Sequence, residues 1–98
     1  MEKEKIPAGK YALMRYNYLK NHKNHELTIL VMNKKLAQHL TQVQEQVSQR
    51  VEELVEMMKK QQGITEELKA KDQMTWVGFM NNIKATAEEI AANEIIYI

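Results

Sequence analysis

Apolar residues recur at helical spacing through the middle of the chain. Over residues 36–58 they step by four or three positions, at Leu36, Leu40, Val43, Val47, Val51, Leu54 and Met58. The average step of about 3.67 residues per turn is typical of a straight or slightly right-handed helix rather than a left-handed coiled coil. The pattern therefore predicts one long amphipathic helix. Gly63 is expected to end it in the left-handed conformation, with Lys59 and Lys60 at the negative end of its dipole.

A second long stripe follows later in the chain. Apolar residues again step by four and three positions, at Trp76, Met80, Ile83, Ala87 and Ile90. This spacing predicts a second amphipathic helix over residues 73 to about 95. We expect Thr65 to cap a short helix over 65–71 and Asp72 to cap the long one. Gly78 lies inside that helix at a cost of up to about 1 kcal/mol relative to alanine, which is tolerable if a neighbouring backbone approaches closely there.

The first third of the chain predicts a shorter helix. Pro7 is tolerated only in a first turn, so the helix is expected to begin near residues 8–10 and to end near Asn21. One face of it carries Tyr11, Met14 and Tyr18, with Leu19 beside them, and the two tyrosines have core spacing.

A second short helix is predicted directly after the first. The polar segment 21–25 is expected to form a turn with asparagine caps, and the helix would begin near Glu26. Such a helix would bury the apolar cluster 27–32. The segment 33–35 is a candidate break before the long helix.

Together these elements predict an all-α protein. The chain has three glycines and one proline, so little interrupts its helix-favouring residues. We expect a single helical domain over residues 1–98, a small bundle of three to five helices including two long amphipathic ones, with residues 1–8 as a flexible N-terminal lead. The predicted core consists of Leu40, Val47, Leu54, Trp76, Met80 and Ile83. The apolar segment 95–98 is expected either in the core or in an interface.

Targeting signals are not evident in the sequence. No cysteine is present, which favours a reducing compartment. The charged segment 1–5 is not followed by the apolar region of a signal peptide. The longest apolar run before the C-terminal segment, residues 29–32, is far shorter than the roughly 20 residues that span a bilayer. We therefore expect a cytoplasmic protein that does not enter the membrane.

The sequence offers no combination of residues that predicts catalysis. Adjacent acidic pairs in a helix point about 100° apart and cannot share a proton-transfer task. The single serine, Ser48, has no visible base beside it. His22, His25 and His39 lie in a turn and on a separate helix, without a carboxylate at ligand spacing. We therefore expect no enzymatic activity, no metal site and no cofactor.

Charge is distributed unevenly along the chain. Residues 1–35 carry eight Lys or Arg against three acids, residues 36–71 carry five against six, and residues 72–98 carry one against four. A basic first third and an acidic last third can each attract a partner of opposite sign, or attract each other. The candidate partner-binding residues are Lys10, Arg15, Lys20, Lys23, Asp72, Glu88, Glu89 and Glu94.

The basic first third allows more than one interpretation. Basic residues alternate with tyrosines between residues 10 and 23, as on surfaces that contact phosphates, and two short helices joined by a turn permit a helix-turn-helix. The same tyrosines also have core spacing, and a lysine-rich helix is ordinarily just soluble. The chain's methionines are expected mostly in the core, although methionine also suits adaptable protein-binding surfaces.

The last third resembles a known family. The matching residues are Gly63 to Ala70, Asp72 to Met74, Trp76-Val77, Met80 to Ile83, Glu89-Ile90, Glu94 and Ile96-Tyr97. This pattern resembles the C-terminal signature of the TnpV family, small proteins encoded on transposons and related mobile elements of Gram-positive bacteria. Arg15-Tyr16 and Tyr18 to Lys20 resemble a second family motif more loosely. The resemblance implies a mobile-element context and brings no catalytic or binding residues with it.

That context narrows the functional hypotheses. Mobile elements carry small proteins that block host defences, including anti-CRISPR proteins, and others that assist transposition. We expect a non-enzymatic protein that binds and inhibits or regulates a nucleic-acid enzyme, most sharply a Cas9-type nuclease. The alternative is a DNA-binding accessory or regulatory protein of transposition. The partner is expected to be a protein or ribonucleoprotein, either a Cas nuclease or the transposition machinery; direct nucleic-acid binding and a homodimer stay open.

Overall fold

The structure, a computed structural model, describes residues 9–98, and all its elements in that range are helical. The elements are α1 Lys10–His22, α2 Asn24–Met32, α3 Leu36–Gln62, α4 Glu66–Lys71, α5 Gln73–Ala91 and a π-helical segment, Ala92–Ile96, that continues α5. The predicted fold class, with two long helices, is confirmed. The prediction of a flexible lead over residues 1–8 lies outside the described residues.

The two long helices form an antiparallel hairpin that contains most of the core. In α3 the predicted stripe is buried from Leu36 to Leu54, whereas Met58 is only half-buried. In α5 the buried residues are Ile83, Ala87 and Ala91. Six core residues were predicted, and their burial differs along the hairpin. Leu40, Val47, Leu54 and Ile83 are buried as predicted, whereas Trp76 and Met80 are half-buried.

The predicted helix ends are confirmed in this hairpin. Gly63 follows α3 with φ 68°, in the left-handed region. The Thr65 hydroxyl accepts a hydrogen bond from the backbone N–H of Leu68. The Asp72 carboxylate accepts from the backbone N–H of Thr75 and so begins α5. Side-chain caps of this kind satisfy N–H groups that a helix leaves without partners in its first turn.

The buried face of α1 differs in part from the predicted one. Leu19 is fully buried, and Tyr11 and Met14 pack half-buried against the core. Tyr18 is also half-buried, whereas Ala12 and Arg15, which were not predicted in the core, are buried. The small side chain of Ala12, which is fully buried, lets α1 approach α3 closely. The Gln44 side-chain oxygen accepts from the backbone N–H groups of both Tyr11 and Ala12, each at 2.9 Å, and holds the start of α1 in this rotation.

The predictions for α2 were wrong in two respects. The helix begins at Asn24, and no side chain caps it. None of its residues is buried, although the apolar cluster 27–32 was expected inside. Leu27 and Leu30, three positions apart, pack half-buried against the core. A nine-residue helix can bury only one face, so the remaining apolar side chains point outward; the exposed fractions are 44% for Ile29, 47% for Val31 and 76% for Met32.

Two further expectations concern segments that flank the core. The break at 33–35 is present, and Lys34 has φ 57°. Of the apolar segment 95–98, Ile96 is fully buried and Ile95 half-buried, while Tyr97 and Ile98 are exposed. No other part of the described chain approaches Gly78 closely, because a Cβ added there would have no heavy atom within 4 Å.

The molecule has two unlike ends. It measures 57 × 22 × 18 Å, so its cross-section is about two helix diameters. α1, α2 and the π-helical segment pack around the first part of α3, whereas α4 packs only on α5. We call residues 10–35 the basic head. The last part of α3, with α4 and the first part of α5, is the distal end.

The packing of the hairpin predicts the effect of truncating its core. Leu54→Ala or Ile83→Ala removes a side chain that is at most 3% exposed, and each should lower the free energy of unfolding by about 2–5 kcal/mol. Urea denaturation followed by circular dichroism measures this. Met74→Ala, at a position 87% exposed, is the control. Unchanged denaturation midpoints in both core variants would show that these two side chains are not part of the core.

Candidate functional site

The basic head carries the whole positive charge excess of the described chain, because residues 36–98 contain more acids than bases. Residues 10–35 contain six Lys or Arg and one acid, Glu26. The structure uses several of these charges internally. Lys10 donates a hydrogen bond to the Glu88 carboxylate, and that bond raises the pKa of Lys10. Lys23 Nζ lies 3.7 Å from Oε1 of Glu26, which is three positions later in the chain.

Arg15 is a structural residue rather than a surface charge. Its side chain is buried, and Nη1 donates to the carbonyl oxygens of Ile96 at 2.7 Å and Ile98 at 2.9 Å. The guanidinium therefore joins the first helix to the last residues of the described chain. Because a buried charge needs such partners, Arg15 is held in place and is not presented to a phosphate-bearing ligand as its sequence position suggested.

His39 completes the environment of Arg15. Arg15 Nε donates to His39 Nε2 at 3.3 Å, which requires a neutral imidazole, since only an unprotonated ring nitrogen accepts. Burial lowers the pKa of His39 from its ordinary value of 6.5, and the charge of Arg15 lowers it further; Glu26 acts in the opposite direction.

Three lysines of the head stay available to a partner. Lys20, Lys34 and Lys35 are exposed and form no ion pair within residues 9–98. Lys34 and Lys35 follow directly after the exposed end of α2. The sequence prediction included Lys20 but missed the other two. An apolar run followed at once by adjacent lysines was the signal that could have indicated them.

The four predicted acidic residues do not form one surface. Asp72 caps α5, Glu88 binds Lys10, and Glu94 accepts two hydrogen bonds from Arg50 at 2.9 and 3.2 Å. Those bonds lower the pKa of Glu94. Of the four, Glu89 alone is exposed with neither an ion pair nor a side-chain hydrogen bond in the described range. Asp72 and Glu94 are 22 positions apart, about 33 Å along a helix, so they do not jointly mimic a short phosphate run.

The part of the chain that the structure describes offers little room for a metal ion or a small ligand. Residues 9–98 bring together no group of three His, Cys, Asp or Glu side chains suited to a metal ion. A shallow pocket of about 270 Å³ lies between α1 and the end of the chain, at the small end of the range for ligand sites. Its lining consists of Met14, Asn17, Tyr18, Asn21, His22 and Tyr97. None of the described helices combines the length and apolarity needed to cross a membrane.

Exposed apolar side chains occur at both ends of the molecule. On the head they are Leu13 of α1 and Ile29, Val31 and Met32 of α2. At the distal end they are Met57, Met74, Val77 and Phe79. Trp76 lies half-buried among the distal residues, and its Nε1 is buried without an acceptor within residues 9–98. Lys69 Nζ lies 4.7 Å from the centre of the Trp76 ring.

The fold and surface define a small, elongated helical protein with two exposed apolar regions, one of them basic. A family model described as Transposon-encoded protein TnpV matches residues 1–96. The chain therefore belongs to the TnpV family, as its sequence resemblance indicated, and is a transposon-encoded protein. Comparison with curated proteins and with solved structures gave no match.

The Arg15–His39 contact predicts a pH-dependent stability. The pKa of His39 is lower in the folded protein, so the unfolded chain binds more protons below about pH 6.5. Stability is therefore complete above that pH and declines as pH falls toward the lowered pKa. His39→Gln keeps an acceptor and cannot become charged, so it should reduce this decline in urea denaturation between pH 7.5 and 5. His25→Gln, at an exposed position, should not. Identical pH profiles for wild type and His39→Gln would contradict the assignment.

Proposed function

We propose that the protein is a non-enzymatic binding protein of its transposon, and that its basic head binds and inhibits or regulates a nucleic-acid enzyme. The observation that carries this proposal is α2. None of its residues is buried, and Met32 is 76% exposed. Lys34 and Lys35, which form no ion pair within residues 9–98, follow it directly. A surface with an apolar centre and a basic margin is of the kind that binds an acidic surface of another protein.

Each part of this surface contributes a different property to binding. Removing Ile29, Val31 and Met32 from water supplies affinity, at about 25 cal/mol per Å² of apolar area before the costs of association. The lysines contribute orientation and a faster, salt-sensitive association. Arg15 contributes indirectly, because it fixes α1 and thereby the base on which α2 lies.

Inhibition of a Cas9-type nuclease is the sharpest form of the hypothesis. Membership of a transposon-encoded family supports a role at the contact between a mobile element and its host. Cas9 also offers both acidic protein surfaces and a guide RNA to a basic partner. The head is the better candidate for this contact, because three of the four predicted acidic residues already bind groups within the chain.

Target cleavage by Cas9 from a Gram-positive bacterium tests this form. Saturable inhibition near a one-to-one ratio is expected, without turnover of the target and weaker at high salt. Met32→Glu and Lys34→Glu should each reduce inhibition about tenfold or more, because a central apolar contact or a favourable charge is reversed. Lys84→Glu makes the same charge change outside the head and should have little effect.

Full cleavage at a large molar excess, with the protein added before or after guide loading, would reject the Cas9 form. Capture of a nuclease-resistant protein partner that depends on Met32 would then still support the broader proposal. Equal binding by Met32→Glu and wild type would exclude the head surface as the binding site.

A DNA-binding accessory role in transposition is the second candidate. The formal charge of the head favours it, since residues 10–35 carry six bases and one acid. If the head binds DNA, affinity falls steeply with salt because each neutralised phosphate releases counterions. Charge reversal at Lys20, Lys34 and Lys35 should then weaken binding equally on all sequences, while Met32→Ser should not. An absence of any DNA shift at low salt would remove this candidate.

A further inference from the structure

The distal end carries apolar side chains that the described chain leaves exposed. The start of α1 is held at Gln44, and Arg15 contacts His39. α1 therefore runs from the middle of α3 toward its beginning, away from the distal end. Beyond Leu54, α3 and α5 pack on each other, and α4 adds contacts to α5 alone. Met57 on α3 is left 46% exposed.

The first part of α5 also carries apolar residues that no neighbouring element covers within the described chain. Successive helical residues point about 100° apart, so Val77 and Phe79 lie on opposite flanks of the helix. They are 40% and 41% exposed, and Met74 is 87% exposed. Trp76 and Met80 are the half-buried residues of the same stretch. A helix that is apolar on all sides is normally buried, so this stretch has the composition of an interface.

Gly78 lies in the middle of this stretch. Glycine inside a helix is less stable than alanine by about 1 kcal/mol. A Cβ at Gly78 would have no heavy atom within 4 Å, so nothing within the described chain requires a glycine there.

The charges beside Met57 fit a second copy of the same chain. From Glu52 onward the charges of α3 run from acids to bases, as Glu52, Glu53 and Glu56 followed by Lys59 and Lys60. When two α3 helices pack antiparallel about Glu56, Glu52 and Glu53 of one copy lie opposite Lys60 and Lys59 of the other. The two Glu56 carboxylates meet at the centre, where Lys59 of the same chain lies 3.7 Å from each of them. Outside this central position the order is complementary to itself, as a two-fold symmetric interface requires.

The basic head cannot serve as that interface. Two heads carry the same formal excess of positive charge, six bases against one acid in residues 10–35, and would repel each other. A contact between a head and a distal end would join unlike surfaces and produce an open chain of molecules rather than a closed dimer.

We propose that the protein forms a symmetric homodimer through its distal end, with the α3 helices of two copies antiparallel about Glu56 and with Met57 and Phe79 in the interface. The inference does not depend on the proposed function. In this dimer the two basic heads lie at opposite ends of the assembly. A partner with two suitable sites, or two partner molecules, can then be bound by one dimer.

Sedimentation equilibrium of the full chain tests the dimer. The expected mass is twice 11.5 kDa at micromolar concentration. Met57→Glu and Phe79→Glu should each raise the dissociation constant about tenfold or more, because an unpaired charge is buried. Ile29→Glu, the same type of change on the head, should leave the dimer intact. Circular dichroism confirms that each variant is folded.

A charge exchange tests the antiparallel arrangement. Chains carrying E52K and E53K, or K59E and K60E, place like charges opposite each other in their own dimers and should dissociate more readily. An equimolar mixture of the two variants restores opposite charges at every pair, so a mixed dimer should form with near wild-type stability. This recovery cannot come from altered folding of either variant alone.

Four results would overturn the proposal. The first is a monomer at every concentration tested. The second is a dimer that persists in both glutamate variants, which would place the interface elsewhere. The third is a mixture of charge variants no more stable than the separate variants. Mass that grows continuously with concentration would indicate head-to-distal chains and would also exclude the closed dimer. The nuclease assay is separate, so either idea can fail while the other holds.

Discussion

The architecture depends on a mismatch in length. The apolar stripe of α3 is long, and the other described helices cover it only in part. α3 has 27 residues, about 40 Å of helix, and its apolar stripe runs for nearly its whole length. α1, α2 and the π-helical segment together cover roughly the first half of that stripe, and α5 lies along the rest. The protein therefore has a packed end and an open end. Both candidate surfaces follow from this, because apolar residues at each end exceed what the chain can enclose.

Regular periodicity made the hairpin predictable from sequence. The steps of three and four in α3, the left-handed Gly63 and the Thr65 and Asp72 caps are local signals, and each appears in the structure as expected. Burial at the ends of the stripes was less predictable. Trp76 and Met80 have the same spacing as Ile83, yet only Ile83 lies where a second layer of chain covers the hairpin. Periodicity reports which side of a helix faces inward and contains no information on whether anything lies there.

The charged residues were harder to interpret, since sequence shows charge and not its partner. Arg15 appears equivalent to Lys20 in a basic segment. Its position is decided by two carbonyl groups more than eighty residues away, which no local pattern encodes. Glu88 and Lys10 are likewise joined only by the fold. The sequence therefore predicted a surface role for residues whose partners are distant in the chain, whereas the structure gives these residues a role in packing.

The Arg15 contact also bears on the order in which the protein is made. Synthesis proceeds from the N-terminus, so α1 leaves the ribosome long before the residues that accept its guanidinium hydrogen bonds. Until Ile96 and Ile98 are available, Arg15 has no buried carbonyl partner, and α1 has little reason to enter the core with a charge on its inner face. The head is thus translated before the residues that complete its packing. A growing chain can hold α1 in its final position only after Ile96 and Ile98 have been added.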